Sequence, residues 1–151
     1  MPSHQETRVL LYSPEELFDL VADIDRYQEF LPWCIASRVH KRDGDELRAD
    51  LVIGFKMLRE TYTSRVILDR PHTIDVDYIK GPFRHLDNHW RFEPETLSSG
   101  VPACRVFFRV DFEFGPALLR RVMEPLFHEA VRRMVHAFET RAEELYGKRA
   151  A

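Results

Sequence analysis

Two histidines four residues apart, His85 and His89, and two cysteines, Cys34 and Cys104, are the side chains here best suited by type to hold a metal or attack a substrate. Four-residue spacing would align two imidazoles on a helix, but the stretch around them alternates apolar and polar as a strand does. On a strand the two rings stand about 13 Å apart, too far to share one tetrahedral site. Cys34 follows Pro32 and Trp33 in a predicted loop, with no histidine or aspartate of a recognised nucleophile motif beside it. With no CxxC and no paired framework, both cysteines read as plain thiols of a reducing compartment. The six glycines are scattered, and neither GxGxxG nor GK[ST] occurs, so no phosphate loop is expected. No metal site, catalytic residue or cofactor is assigned.

Parity along the strands points to different chemistry. From His85 to Glu93 the odd positions are His85, Asp87, His89, Arg91 and Glu93, while the even, inward positions offer Asn88 as their strongly polar group. Asp75 and Asp77 likewise oppose Ile74, Val76 and Tyr78. The inward polar set is therefore neutral: Tyr62, Ser64, Tyr78 and Asn88, with the indole donors of Trp33 and Trp90. A mostly apolar interior with a few such groups suits the binding and orienting of a small hydrophobic molecule. General acid–base catalysis needs a positioned His, Glu or Asp, and this pattern withholds one. The same pattern also describes a solidly packed core, and pattern alone favours that reading, residue by residue, over a cavity.

The elements that must carry these residues follow from turn and cap signals. Thr7–Tyr12 is a strand candidate, and Ser13-Pro14-Glu15-Glu16 supplies an N-cap, a proline in the first turn and a capping-box glutamate. The helix that begins there buries Leu17, Phe18 and Val21, and Asp25–Phe30 reads as a second short helix stopped by Pro32. From Ile35 to Phe114 the period is two, broken at Asp43-Gly44-Asp45, Arg70-Pro71-His72, Lys80-Gly81-Pro82 and Ser98–Pro102. Leu47, Ala49, Leu51, Ile53, Phe55 and Met57 share one face, and Cys104, Val106, Phe108, Val110, Phe112 and Phe114 another. Past Gly115-Pro116 the period turns helical. Leu119, Met123, Leu126, Phe127, Ala130, Met134, Phe138, Ala142 and Leu145 form a stripe that Gly147 ends. Pro125 predicts a kink or short break around Arg121–Glu124. The order predicts an α+β helix-grip fold: a curved antiparallel sheet of six to seven strands wrapped around a long C-terminal helix, with two short helices after the first strand.

Composition narrows the function classes. The 151 residues show no internal repeat or low-complexity linker and read as one domain, 1–151. A net charge of −3 gives no global field for a polyphosphate, so DNA is not expected as a partner. Arg120-Arg121, Arg132-Arg133, Lys148 and Arg149 could meet RNA or anionic lipid, but Glu124, Glu129, Glu139, Glu143 and Glu144 interleave with them as on a solvated helix face. The first dozen residues lack the layout of a signal peptide, and no apolar run approaches the roughly 20 residues of a membrane span. The expectation is a cytoplasmic protein, peripheral to the inner membrane at most.

Several strings are more specific than the fold: Tyr27-Gln28-Glu29-Phe30-Leu31-Pro32-Trp33-Cys34, Glu60-Thr61-Tyr62-Thr63-Ser64, Gly81-Pro82-Phe83-Arg84-His85-Leu86 and Asn88-His89-Trp90-Arg91-Phe92, with Met134–Ala142 near the end. In this order the chain resembles the coenzyme Q-binding START-domain family, also called the polyketide cyclase-like or ribosome-association toxin family, from about Thr7 to Gly147. The resemblance implies a START-like helix-grip fold and a tunnel for ubiquinone or another isoprenoid lipid. It also implies a lipid-binding or chaperone role in respiratory electron transport, with transient membrane contact. Residues expected to line such a site are Trp33, Phe55, Tyr62, Ser64, Tyr78, Phe83, Asn88, Trp90, Val106, Phe108, Met123, Phe127, Met134 and Phe138. Relatives that bind the large ribosomal subunit put that partner forward as the alternative, and a polyketide cyclase-like enzyme ranks third. Fold alone does not separate these roles.

Overall fold

The computed structural model describes residues 3–55, 58–117, 120–121 and 124–150, except the side chains of Phe55 and Leu58. Helix α1, Pro14–Ala22, starts where its capping box predicts. The Ser13 hydroxyl accepts from the Glu16 amide at 3.1 Å, and the Glu16 carboxylate accepts from the Ser13 amide at 2.9 Å. Its buried stripe, Leu17, Phe18, Leu20 and Val21, includes Leu20 beside the expected residues. A 3-10 helix, Ile24–Glu29, follows in place of a second α-helix.

Seven strands form one antiparallel sheet: β1 Ser3–Leu10, β2 Cys34–Asp43, β3 Glu46–Phe55, β4 Leu58–Asp69, β5 Thr73–Lys80, β6 Phe83–Thr96 and β7 Pro102–Phe114. Their spatial order is β1-β7-β6-β5-β4-β3-β2, so β2 through β7 are a meander and β1 closes onto its last strand. β1 lies earlier in the chain than expected. It pairs from Ser3, opposite Asp111, to Leu10, opposite Cys104, while Tyr12 leaves the strand and its hydroxyl donates to the Gly147 carbonyl at 2.8 Å. Phe55 pairs with Leu58, so the face expected to run on to Met57 ends at a strand reversal, and Met57 itself lies outside the described residues.

β1 and β2 occupy opposite edges of the sheet, so the chain between them has to cross its whole width. α1 and the 3-10 helix make that crossing. Phe18 is buried edge-on to Phe92 of β6, with ring centroids 5.8 Å apart, and Tyr27 and Phe30 both meet Phe138. Fully burying a side chain such as Phe18 contributes about 1.5–3 kcal/mol.

The C-terminal α-helix, α2, is Phe127–Tyr146, 20 residues and about 30 Å long. The expected helix from Pro116 to Tyr146 is thus divided. Helical backbone at Ala117, Arg120 and Arg121 precedes a 3-10 turn at Glu124–Leu126, and Pro125, which has no N–H for the helical ladder, sits inside that turn. Phe127, Val131, Phe138 and Ala142 are its buried stripe. Leu145 departs from expectation: it is 51% exposed, because the inward position in that last turn belongs to Tyr146, whose hydroxyl donates to the Glu16 carbonyl at 3.0 Å. Gly147, at φ +83°, ends the helix with its amide on the Glu143 carbonyl. Leu119 and Met123 of the expected stripe lie outside the described residues.

Candidate functional site

Burial along the strands is uneven, and the unevenness marks an empty space. Cys104, Val106, Phe108 and Phe114 of β7 are buried, whereas Val110 and Phe112 between them are only half-buried, as are Ile53, Val76 and Leu86 on the same concave face. These half-buried side chains surround a cavity of about 200 Å³ between the sheet and α2. Tightly packed interiors leave few voids larger than a water molecule, so this one departs from the solid core that pattern alone favours: a cavity is set into the core. Leu31, Trp33 and Tyr27 close one side, and Phe127, Met134 and Phe138 of α2 form the roof.

Of the residues expected to line a site, Trp33, Tyr62, Phe83, Asn88, Trp90, Phe108, Phe127, Met134 and Phe138 come together around this cavity. Ser64 does not: it is 2% exposed beneath the wall, opposite Ala49. Tyr78 also stands off the lining, where its hydroxyl accepts from the Phe83 amide at 3.1 Å. Val106 lines a second, smaller cavity. Met123 and the side chain of Phe55 lie outside the described residues. The lining also includes residues that parity does not single out, among them Ile24, Tyr27 and Leu31 from the segment that crosses the sheet. Tyr27 belongs to the aromatic string that ends at Cys34, which is the one sequence signal that could have placed it.

Hydrogen bonding sorts the polar groups further. The Trp90 indole donates to Asn88 at 2.9 Å, and the Asn88 amide donates to the Arg109 carbonyl at 2.8 Å, so these two satisfy one another and the backbone. Tyr27 donates to the Val21 carbonyl. Among the described residues, the Tyr62 hydroxyl and the Trp33 indole N–H have no hydrogen-bond partner. Tyr62 is held in place by aromatic edges and by backbone. Its ring meets Phe83 edge-on at 5.3 Å, and Phe83 in turn packs on Tyr78, Phe112 and Phe114. Gly81 lies directly against it: a Cβ there would stand 2.6 Å from the Tyr62 Cβ. The Gly81-Pro82-Phe83 string is thus a support for Tyr62.

Charge lies on the opposite face. Arg65 pairs with Asp77 at 3.2 Å, Arg109 with Asp87 at 3.0 Å, His89 with Asp75, and the Arg91 guanidinium sits 4.0 Å over Phe107. Among the described residues the cavity lining holds no carboxylate, imidazole, lysine or arginine. Burial pushes the Tyr27 and Tyr62 phenols far above their usual range, so both stay neutral donors. Burial likewise pushes the Cys34 and Cys104 thiols up to about 11, which keeps them protonated and poorly nucleophilic. No three His, Cys, Asp or Glu side chains gather to hold a metal among the described residues. What such a lining can do is enclose an apolar molecule and donate to an acceptor on it.

Known proteins resemble this one in sequence and fold. The family model described as polyketide cyclase / dehydrase and lipid transport matches residues 10–139. The ribosome association toxin RatA of Rickettsia prowazekii is 38% identical over 149 residues, covering 96% of this chain and 99% of that protein. The mitochondrial coenzyme Q-binding protein COQ10 homolog B of Xenopus laevis is 36% identical over 146 residues, covering 96% of this chain but 59% of that protein. The solution structure of the 18 kDa protein CC1736 from Caulobacter crescentus is 38% identical, covers 98% of this chain and all of that one, and superposes with a TM-score of 0.76. Matched by the family model over most of its length and by these relatives over nearly all of it, with the helix-grip sheet and its apolar cavity, the chain belongs to the polyketide cyclase-like family of START-like proteins.

Proposed function

We propose that this protein binds a hydrophobic isoprenoid, with ubiquinone the leading candidate, and serves as a lipid-binding or chaperone protein for respiratory electron transport. The observation that carries this reading is the neutral aromatic cavity with two donors, Tyr62 and Trp33, that have no partner among the described residues. A quinone ring presents carbonyl and methoxy acceptors and no charge, so it suits two neutral donors in an apolar wall. The relative named as a coenzyme Q-binding protein supports the same ligand class. On this reading the protein is cytoplasmic and meets the membrane transiently to collect its ligand. No helix among the described residues is long and apolar enough to cross a membrane.

Both tryptophans of the chain line the cavity, which supplies the experiment. A short-tailed benzoquinone should quench the intrinsic fluorescence of Trp33 and Trp90 saturably, and protein purified from its own membranes should carry a quinone in native mass spectrometry. Unquenched fluorescence together with no copurified lipid would overturn the reading.

The relative named as a ribosome association toxin favours a second reading, binding of the large ribosomal subunit. Arg132 and Arg133 are exposed on the outer face of α2, although Glu129 pairs with Arg133 at 2.8 Å. This reading predicts cosedimentation with large subunits that weakens as salt rises, and no shift in a low-salt gradient would sink it. A cyclase-like enzyme would need an inward acid or base, which the described lining does not supply.

A further inference from the structure

Behind the main cavity lies a second apolar one, of about 50 Å³, between β1, β7, α1 and α2. Leu10, Leu17, Leu20, Val106 and Val135 wall it. Glu6, Arg8 and Glu139 ring its outer side, where Arg8 bonds Glu139 at 2.6 Å and ties β1 to α2. Val21, Trp90, Phe108 and Phe138 line both cavities. The partition is therefore one layer of side chains thick, built of rings that meet only at edges and angles: Trp90 lies 4.6 Å from Phe108 and 5.3 Å from Phe138.

Size makes this division matter. An apolar cavity of about 150 Å³ is enough for a benzene-sized ring, so the main cavity of about 200 Å³ takes a head group and little more. The free donor Tyr62 and the partition residues Trp90, Phe108 and Phe138 line this same cavity, so a head group held at Tyr62 shares its enclosure with the partition.

We propose that the second cavity is a subsite for the far end of an unbranched or prenyl chain, reached when the Phe138 ring swings away from Trp90 and Phe108. This rests on the ligand-binding reading above and adds to it a chain-length preference. The subsite selects a long apolar tail, and the Glu6–Arg8–Glu139 ring closes the tunnel behind it.

The test compares two probes by tryptophan quenching: a benzoquinone bearing one isoprene unit and the same ring bearing several. Val135 faces the second cavity and not the first, so Val135→Phe fills the subsite and leaves the head-group site alone. The variant should bind the short probe as the wild type does and lose about tenfold or more in affinity for the long one, as expected from a few buried methylenes. Phe138→Leu thins the partition and should raise the ratio of long-probe to short-probe affinity. Melting curves taken in parallel identify a misfolded variant, in which case the other variant decides. Short-probe binding with an unchanged ratio in the folded variants overturns the subsite and leaves the binding reading intact. Failure of the wild type to bind either probe overturns both.

Discussion

Tyr62 shows how one side chain can be kept available for a ligand. Its ring is locked by Phe83 and by the close approach of Gly81, while its hydroxyl spends no hydrogen bond on the described protein around it. Tyr62→Phe should therefore leave the unfolding midpoint nearly unchanged and weaken quinone binding about three- to tenfold, the value of one hydrogen bond worth roughly 0.5–1.5 kcal/mol, read by fluorescence titration. Gly81→Ala should act the other way round. At φ +146° and 2.6 Å from the Tyr62 Cβ, the added methyl should cost about 1–3 kcal/mol in urea unfolding and disturb Tyr62 as well. Tyr62 was legible as an inward donor because strand parity names the face a residue occupies, whereas Trp33 precedes β2 and has no parity to read. Parity does not report depth or partners. Ser64, Tyr78 and Asn88 share the same inward reading, yet one is sealed beneath the wall and two are occupied by Phe83, Trp90 and Arg109. Those distinctions depend on three-dimensional geometry, whether the partner is two residues away, as Trp90 is from Asn88, or 21, as Arg109 is.

At the level of elements, local signals served best where the physics is local. The capping box at Ser13 stands as read, and Ser13→Ala should cost about 1 kcal/mol in chemical denaturation by leaving the first turn of α1 uncapped. The break at Pro125 was also legible, because a missing N–H acts on its own helix. The stop at Gly147 was legible too, but the residue that faces inward in the last turn was not. Tyr146 takes the inward place expected for Leu145 because it reaches back to Glu16, 130 residues earlier. Arg149 completes that clasp with two bonds to the Glu16 carboxylate at 2.7 and 2.8 Å, and these bonds hold the Glu16 pKa down to about 2 from an ordinary 4.5. A depressed acid stabilises the fold above its unfolded pKa and loses that contribution as pH falls through its folded one. Wild type should therefore melt above Arg149→Gln at neutral pH, with the gap closing between about pH 4.5 and pH 2 in thermal scans.

On the scale of the whole molecule, a sheet gripping a helix is a stable frame around a space that its own side chains do not fill. A ligand occupying that space stabilises only the folded chain. At a concentration of about 100 times Kd it should add roughly 2.7 kcal/mol, which raises the melting temperature by about 5–10 °C in a protein of this size. Differential scanning fluorimetry with and without a short-tailed quinone checks this. The sheet and gripped helix were legible because period-two alternation, turn residues and a helical stripe are repeated signals; the cavity was not, because an empty volume and a filled one require the same apolar residues. The β1–β7 pairing described above has a further consequence. Ser3 must find Asp111, and Leu10 must find Cys104, so β1 leaves a ribosome well before the strand it pairs with has been made. Until β7 is in place, one wall of the second cavity is missing and β1 is unpaired. A chain emerging vectorially must keep β1 soluble and waiting, and the closure of β1 on β7 belongs to the slow class of non-local β pairings, on the order of milliseconds to seconds.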